Sequence, residues 1–183
     1  MDFKHALKII THHFEKGNLK YAVIGGFALE SAGVVRATMS IDLLVLADDK
    51  SRMQSIMIAN NYELIFESEE VITFIGSDDS LGRVDFLLAH RKYTLAMLER
   101  AQKKSVLQGS TEIYVVEPED LIGLKIQAIA NDRDRYYQDM ADIQMIIKNK
   151  YKILNFNRIK EYFELFGRLN DYNKLISDIK NAE

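Results

Sequence analysis

Between Tyr21 and Leu46 the chain runs from an apolar stretch into Gly25-Gly26. It then passes through a short connecting segment and returns as Ser40-Ile41-Asp42 followed by four more apolar residues. A second isolated acid, Asp85, stands in Arg83-Val84-Asp85-Phe86-Leu87. These residue types at these places suit phosphoryl chemistry. Glycines at a strand-to-helix junction let backbone N–H groups approach phosphate oxygens with no Cβ in the way. Carboxylates hold the divalent cations that neutralise charge on a transferring phosphorus. Alternate residues of a strand share one face, so positions 40 and 42 address one site. Arg36 and Thr38 in the connecting segment, and Lys125 further on, are candidate phosphate ligands.

Each candidate also has a plainer reading. Gly25-Gly26 is compatible with a tight turn alone. Asp42 is costly to bury unpaired in an apolar strand, which leaves exposure at the strand mouth or an ion pair as the alternative to a metal. Arg83 stands at i−2 from Asp85, on the same face, and an Arg83–Asp85 pair competes with a metal role. Arg36 as a loop cap, Thr38 as a structural hydroxyl and Lys125 as a snorkelling surface lysine complete that set. Tyr136-Tyr137 reads first as packing between helices and second as a base-stacking surface. The Asp132–Arg135 run reads as a solvated turn. His5, His12, His13 and His90 have no third ligand among them, so no zinc site is expected.

The elements that must position these residues follow from pattern. Apolar Phe3, Leu7, Ile10 and Phe14 predict a helix over 2–16, stopped by Gly17-Asn18. Strands are expected at 20–24, 41–47 and 82–88, with a hairpin from 62–67 and 71–75. Short helices are expected at 27–32 and 49–60, the latter turning Met53, Ile56, Met57 and Ala59 inward. A helix over 91–103 and a strand pair at 105–108 and 111–116 follow. Pro118 marks a helix start, where its missing N–H costs nothing. From there the pattern gives helices at 118–131, 134–149, 155–167 and 170–181. The fold class is therefore α/β (α+β): a mixed-sheet core over 1–117, with a helical region over 118–183 packed on it as one compact unit.

The ordered set Gly25-Gly26, Ser40-Ile41-Asp42 and Asp85 resembles the nucleotidyltransferase superfamily that includes DNA polymerase β. Within it, the set is similar to the AbiEii-like and aminoglycoside-adenylyltransferase-like bacterial branches. Their pattern is Gly-Gly or Gly-Ser, a spacer, Asp-x-Asp on a strand, and a third acid on a later strand. Arg36-Ala37-Thr38 resembles the Arg-x-Thr of the AbiEii-like branch. The segment 117–147, with Asp120-Leu121, Lys125, Asp139 and Asp142, looks like the same branch. The resemblance implies a core that moves an NMP group from a nucleoside triphosphate, ATP first among them, to a hydroxyl. Asp42 and Asp85 would bind Mg²⁺ or Mn²⁺, and Gly25, Gly26, Arg36, Thr38 and Lys125 the nucleotide. The acceptor would be a small molecule, a tRNA end or a protein.

The departure is Ser40, which takes the place of the first motif aspartate and of its catalytic role. A neutral hydroxyl is a poor cation ligand beside an ionised carboxylate, although the hydroxyl of a phosphate-binding loop does reach Mg²⁺. Asp48 and Asp49 lie at the far end of the strand and do not substitute, which leaves Asp78 or Asp79, in the polar loop before Asp85, as the only candidate surrogates, against the main reading of an incomplete acid set. With the first acid gone, a catalytically inactive nucleotide- or protein-binding member of a toxin–antitoxin-like pair is the alternative. A plain scaffold stands behind both.

Composition sets the outer bounds. Hydrophobic residues make up 48% and charged residues 28% of the 183, enough for a core and a solvated surface. The absence of cysteine excludes disulfides and thiolate metal sites. A net charge of -3 and a pI near 5.9 argue against a broad phosphate-backbone footprint. No segment reaches the roughly 18 apolar residues of a membrane span, and the N-terminal stretch is unlike a secretory leader. The expected location is the cytoplasm.

Overall fold

The computed structural model describes residues 1–181 and divides into two compact units. The first comprises Met1–Ser31 and Val35–Glu117. Its opening helix α1 (Phe3–Lys16) is capped by Asp2, whose carboxylate accepts from the His5 N–H at 3.0 Å. Leu7, Ile10 and Phe14 bury one face at helical spacing. Asn18, at φ 53°, then turns the chain into β1 (Tyr21–Val23). The order continues α2 (Gly25–Ser31), β2 (Ser40–Leu46), α3 (Lys50–Ala59), β3 (Tyr62–Glu67), β4 (Val71–Gly76) and β5 (Arg83–Ala89). It closes with α4 (Lys92–Arg100), β6 (Gln102–Val106) and β7 (Thr111–Val115).

The strands form one mixed seven-stranded sheet in the order β3-β4-β5-β2-β1-β7-β6. Strand β2 lies parallel to β5 and antiparallel to β1. Past Asp42 and Asp85 both central strands are apolar, as expected of strands covered on their faces. Phe14 of α1, Phe86 of β5 and Phe74 of β4 are fully buried and stack in sequence, with ring centroids 6.0 and 5.9 Å apart. This aromatic spine fixes β5, the strand that carries Asp85, against β4 and α1.

Two expectations are corrected. The helix predicted over 91–103 ends at Arg100, and Gln102–Val106 is a strand in register with Thr111–Val115. The lysines there made the stretch read as a solvated helix end, but as an edge strand its exposed positions accept polar side chains while the backbone pairs with β7. The hairpin loop is Leu107–Ser110, with Leu107, Gln108 and Gly109 all left-handed. In α3, Met53 and Met57 are buried, whereas Ala59 is exposed.

The second unit comprises Ala32–Val34 and the helices α5 (Pro118–Asn131), α6 (Tyr136–Lys150), α7 (Phe156–Leu165) and α8 (Leu169–Asn181). Its core is Ile122, Ile126, Ile129, Ile143, Ile146, Ile147, Ile159 and Phe163. Gly123 lets the Tyr162 ring lie against α5: a Cβ there would stand 2.8 Å from the ring. The Tyr162 hydroxyl donates to the fully buried Asp120 at 2.8 Å, so the apolar contact and the polar one fix the same pair of helices. No helix among the described residues is long and apolar enough to cross a membrane.

Candidate functional site

Parallel pairing of β2 with β5 places Asp42 directly across from Asp85, and Ser40 directly across from Arg83. Two acids far apart in sequence thus become neighbours on one sheet face. The pair sits mostly out of water. Burial first, and then the Asp85 charge, push the Asp42 carboxyl up to about 6; the Ser40 hydroxyl, the Gly26 N–H and Arg83 pull the other way. Ser40 Oγ donates to Asp42 Oδ1 at 3.3 Å.

The glycine pair serves this carboxylate. Gly25 has φ +63°, and a Cβ there would collide with the Asp42 carboxylate. A Cβ on Gly26 would come within 2.7 Å of Thr38, whose hydroxyl donates to the Ser40 carbonyl at 3.0 Å. The turn therefore has to be bare so that Asp42 and Thr38 can seat against it. The Gly26 N–H, bonded to Asp42, is part of that seat.

Asp85 is held from two sides. Arg83 Nε donates to Oδ2 at 2.9 Å and Arg83 Nη2 to Oδ1 at 2.9 Å, while the Thr73 hydroxyl on β4 donates to Oδ1 at 2.6 Å. The Arg83–Asp85 pair is therefore present. Thr73 was not singled out from sequence. Its signal is a hydroxyl inside the otherwise apolar Val71–Ile75 run, across from Asp85 in the ladder.

Arg36 and Thr38 line a cleft of about 340 Å³ that begins at Gly26, and Val35 on its wall is 89% exposed. Gly25, Gly26, Arg36, Thr38, Ser40, Asp42 and Asp85 thus belong to one unit and one neighbourhood. Lys125 lies in the helical unit and is buried rather than snorkelling. Its ammonium donates to Asp139 at 2.8 Å and Asp142 at 2.6 Å, and Arg135 also reaches Asp139 at 2.9 Å. The acids draw the lysine inward because each charge there needs a partner.

The surrogate acids do not complete the site. Asp78 and Asp79 are both exposed, and Asp78 accepts from the Ser80 N–H at 2.7 Å; Asp49, at the far end of β2 as expected, pairs with Arg52 at 2.7 Å. Among the described residues no group of three or more His, Cys, Asp or Glu is arranged to hold a metal ion. The Asp132–Arg135 turn is solvated as expected. Tyr136 packs, its hydroxyl on Asp171 at 2.9 Å, but Tyr137 is 86% exposed, against the expectation that both fill a helix interface.

Among solved structures, the antibiotic-resistance factor ANT(2'')-Ia matches 99% of this chain and 100% of its own, with a TM-score of 0.66 at 12% identity. A nucleotidyltransferase-like antigenic protein from Paracoccidioides brasiliensis matches over 96% and 92%, with a TM-score of 0.59 at 16% identity. The lincosamide antibiotic adenylyltransferase LnuA matches over 78% and 95%, with a TM-score of 0.53 at 13% identity. The chain has the nucleotidyltransferase fold. At these identities the likeness carries architecture alone. No family model and no curated protein matches the sequence.

Proposed function

We propose that the chain transfers a nucleoside monophosphate from a metal-bound nucleoside triphosphate to a hydroxyl, at a centre built on Asp42 and Asp85. The observation that carries this reading is the direct pairing of the two acids across parallel β2 and β5, with the Gly26 N–H on Asp42, within a nucleotidyltransferase fold. The donor set suits one hard divalent cation such as Mg²⁺ or Mn²⁺. It consists of carboxylate oxygens; burial first, and the neighbouring Asp85 second, raise the cost of charging Asp42, and a cation bound there would offset that cost. When bound, the cation supplies charge neutralisation for the triphosphate and the attacking oxygen.

The chain's own residues do the rest. Gly25 and Gly26 keep the Asp42 carboxylate in place beside bare backbone, and Thr38 holds the strand entrance through the Ser40 carbonyl. Arg36, on the wall of the adjoining cleft, is a cation for the triphosphate. Arg83 and Thr73 orient Asp85. In the transfer the acceptor oxygen bonds to the α-phosphorus, the α–β bridging bond breaks, pyrophosphate leaves, and the hydroxyl proton goes to the carboxylate pair. Lys125 is satisfied by acids of its own unit, and the proposed centre is drawn from the first unit alone.

The test is release of labelled pyrophosphate from each NTP with Mg²⁺ or Mn²⁺. Wild type should turn over slowly, Ser40→Asp faster by about tenfold or more, and Asp42→Asn and Asp85→Asn not at all. Turnover unaffected by Asp85→Asn would remove the centre from this pair. A second reading has its own observation: with Arg83 fastened on Asp85 and, among the described residues, no third acid grouped with the pair, the fold suits a non-catalytic nucleotide-binding or protein-binding member of a toxin–antitoxin-like pair. Nucleotide binding without turnover in both wild type and Ser40→Asp would select it.

A further inference from the structure

The cleft lined by Gly26, whose N–H meets Asp42, is also lined by the tip of the β6–β7 hairpin. Its wall there is Leu107 and Gln108, with Glu30 of α2 and Val35 beside them. The tip is held in an uncommon shape. Leu107 at φ 53° and Gln108 at φ 55° are consecutive left-handed residues, neither a glycine, a backbone region that L side chains seldom adopt. The Gln108 N–H donates to Glu30 Oε1 at 3.0 Å, which ties the tip to α2. The Gln108 side chain is exposed on the cleft, and among the described residues its amide has no protein partner. Strain at a hairpin tip, a tether that maintains it, and a free amide all meet at one hollow.

We propose that this cleft holds the nucleobase of the donor triphosphate, and that Gln108 makes it select adenine. The proposal rests on the transferase reading above. A volume of about 340 Å³ lies at the small end of ligand pockets, which start near 300 Å³. It suits a base with part of its sugar, leaving the phosphates outside, toward Gly26 and Asp42. Val35 and Leu107 give the flat ring apolar contact. A glutamine amide offers one donor and one acceptor side by side, which matches adenine N7 and N6. Guanine presents two acceptors on the same edge, and the amide oxygen would then face O6. Arg36 also lines the cleft and is the side chain that would favour guanine there.

The test measures Kd by calorimetry on the full chain for ATP, GTP, CTP and UTP with Mg²⁺, in wild type and in Gln108→Gly. Glycine is chosen because it accepts the left-handed backbone, so loss of the amide is separated from loss of fold. Wild type should bind ATP about tenfold tighter than the other three, and Gln108→Gly should bring ATP to their level while melting no lower than wild type. Equal binding of all four, a preference for GTP, or an ATP preference that survives Gln108→Gly overturns the adenine assignment and leaves the transferase reading standing. Absence of binding by any triphosphate overturns both.

Discussion

Asp42 is the residue on which the candidate site turns, and its surroundings give it a measurable signature. Its folded-state pKa is pushed up to about 6, above the ordinary aspartate range. A raised carboxyl favours the fold fully below the unfolded value, and that contribution is lost as pH rises through the folded value. At 1.36 kcal/mol per unit the loss between pH 4 and pH 7 is on the order of 3 kcal/mol. Urea unfolding of wild type and Asp42→Asn across that range should show the variant gaining about that much relative to wild type; parallel curves would mean the carboxyl is not held as described. Added Mg²⁺ should restore part of the loss in wild type above pH 6, because the cation competes with the proton. Gly25→Ala should be costly for the same reason. The new methyl meets the Asp42 carboxylate and the backbone stands at φ +63°, so a loss of more than about 1 kcal/mol is expected by thermal melting.

At the level of elements, the helical unit depends on one bare spot. Gly123→Ala pushes a methyl into the Tyr162 ring, which is also bound to Asp120, so a loss of about 1–3 kcal/mol is expected in chemical denaturation. Tyr162→Phe should cost a similar amount by removing the hydroxyl that donates to the buried Asp120. Much of the element order is readable in the sequence because periodicity and breakers state it. The β2 and β5 strands announce themselves as apolar runs each interrupted by one acid, and Pro118 marks α5 to the residue. What sequence leaves out is who faces whom. The glycine pair points to a phosphate, but only the register of β2 against α2 reveals that it makes room for Asp42 and Thr38. Lys125 has the outward pattern of a surface lysine, and its acids come from α6, beyond the range of helical spacing. Strand β6 is hidden because an edge strand tolerates the same lysines as a helix end.

For the whole molecule, the exposed margin of the sheet governs behaviour in solution. Among the described residues strand β3 has a neighbour only in β4, and Leu64, Ile65 and Phe66 along it are 40–54% exposed. Such an edge invites pairing with other chains. Association should be greatest near the pI of about 5.9, where net charge no longer keeps molecules apart. Static light scattering against pH should show this maximum in wild type and its suppression in Ile65→Lys. A flat profile in both would mean that the bulge between Leu64 and Phe66 already blocks the edge.

Ser40 and Arg83 stand opposite each other in the β2–β5 ladder, and this makes them one genetic locus in two places. An aspartate placed at position 40 would stand across from the arginine that now pairs with Asp85, so part of the added negative charge would go into rearranging an existing pair. The route between a two-acid and a three-acid centre therefore passes through both positions. Ser40→Asp and Arg83→Ala should be strongly non-additive in metal affinity, with the double change exceeding the sum of the singles. Simple addition would show that the two positions evolve independently.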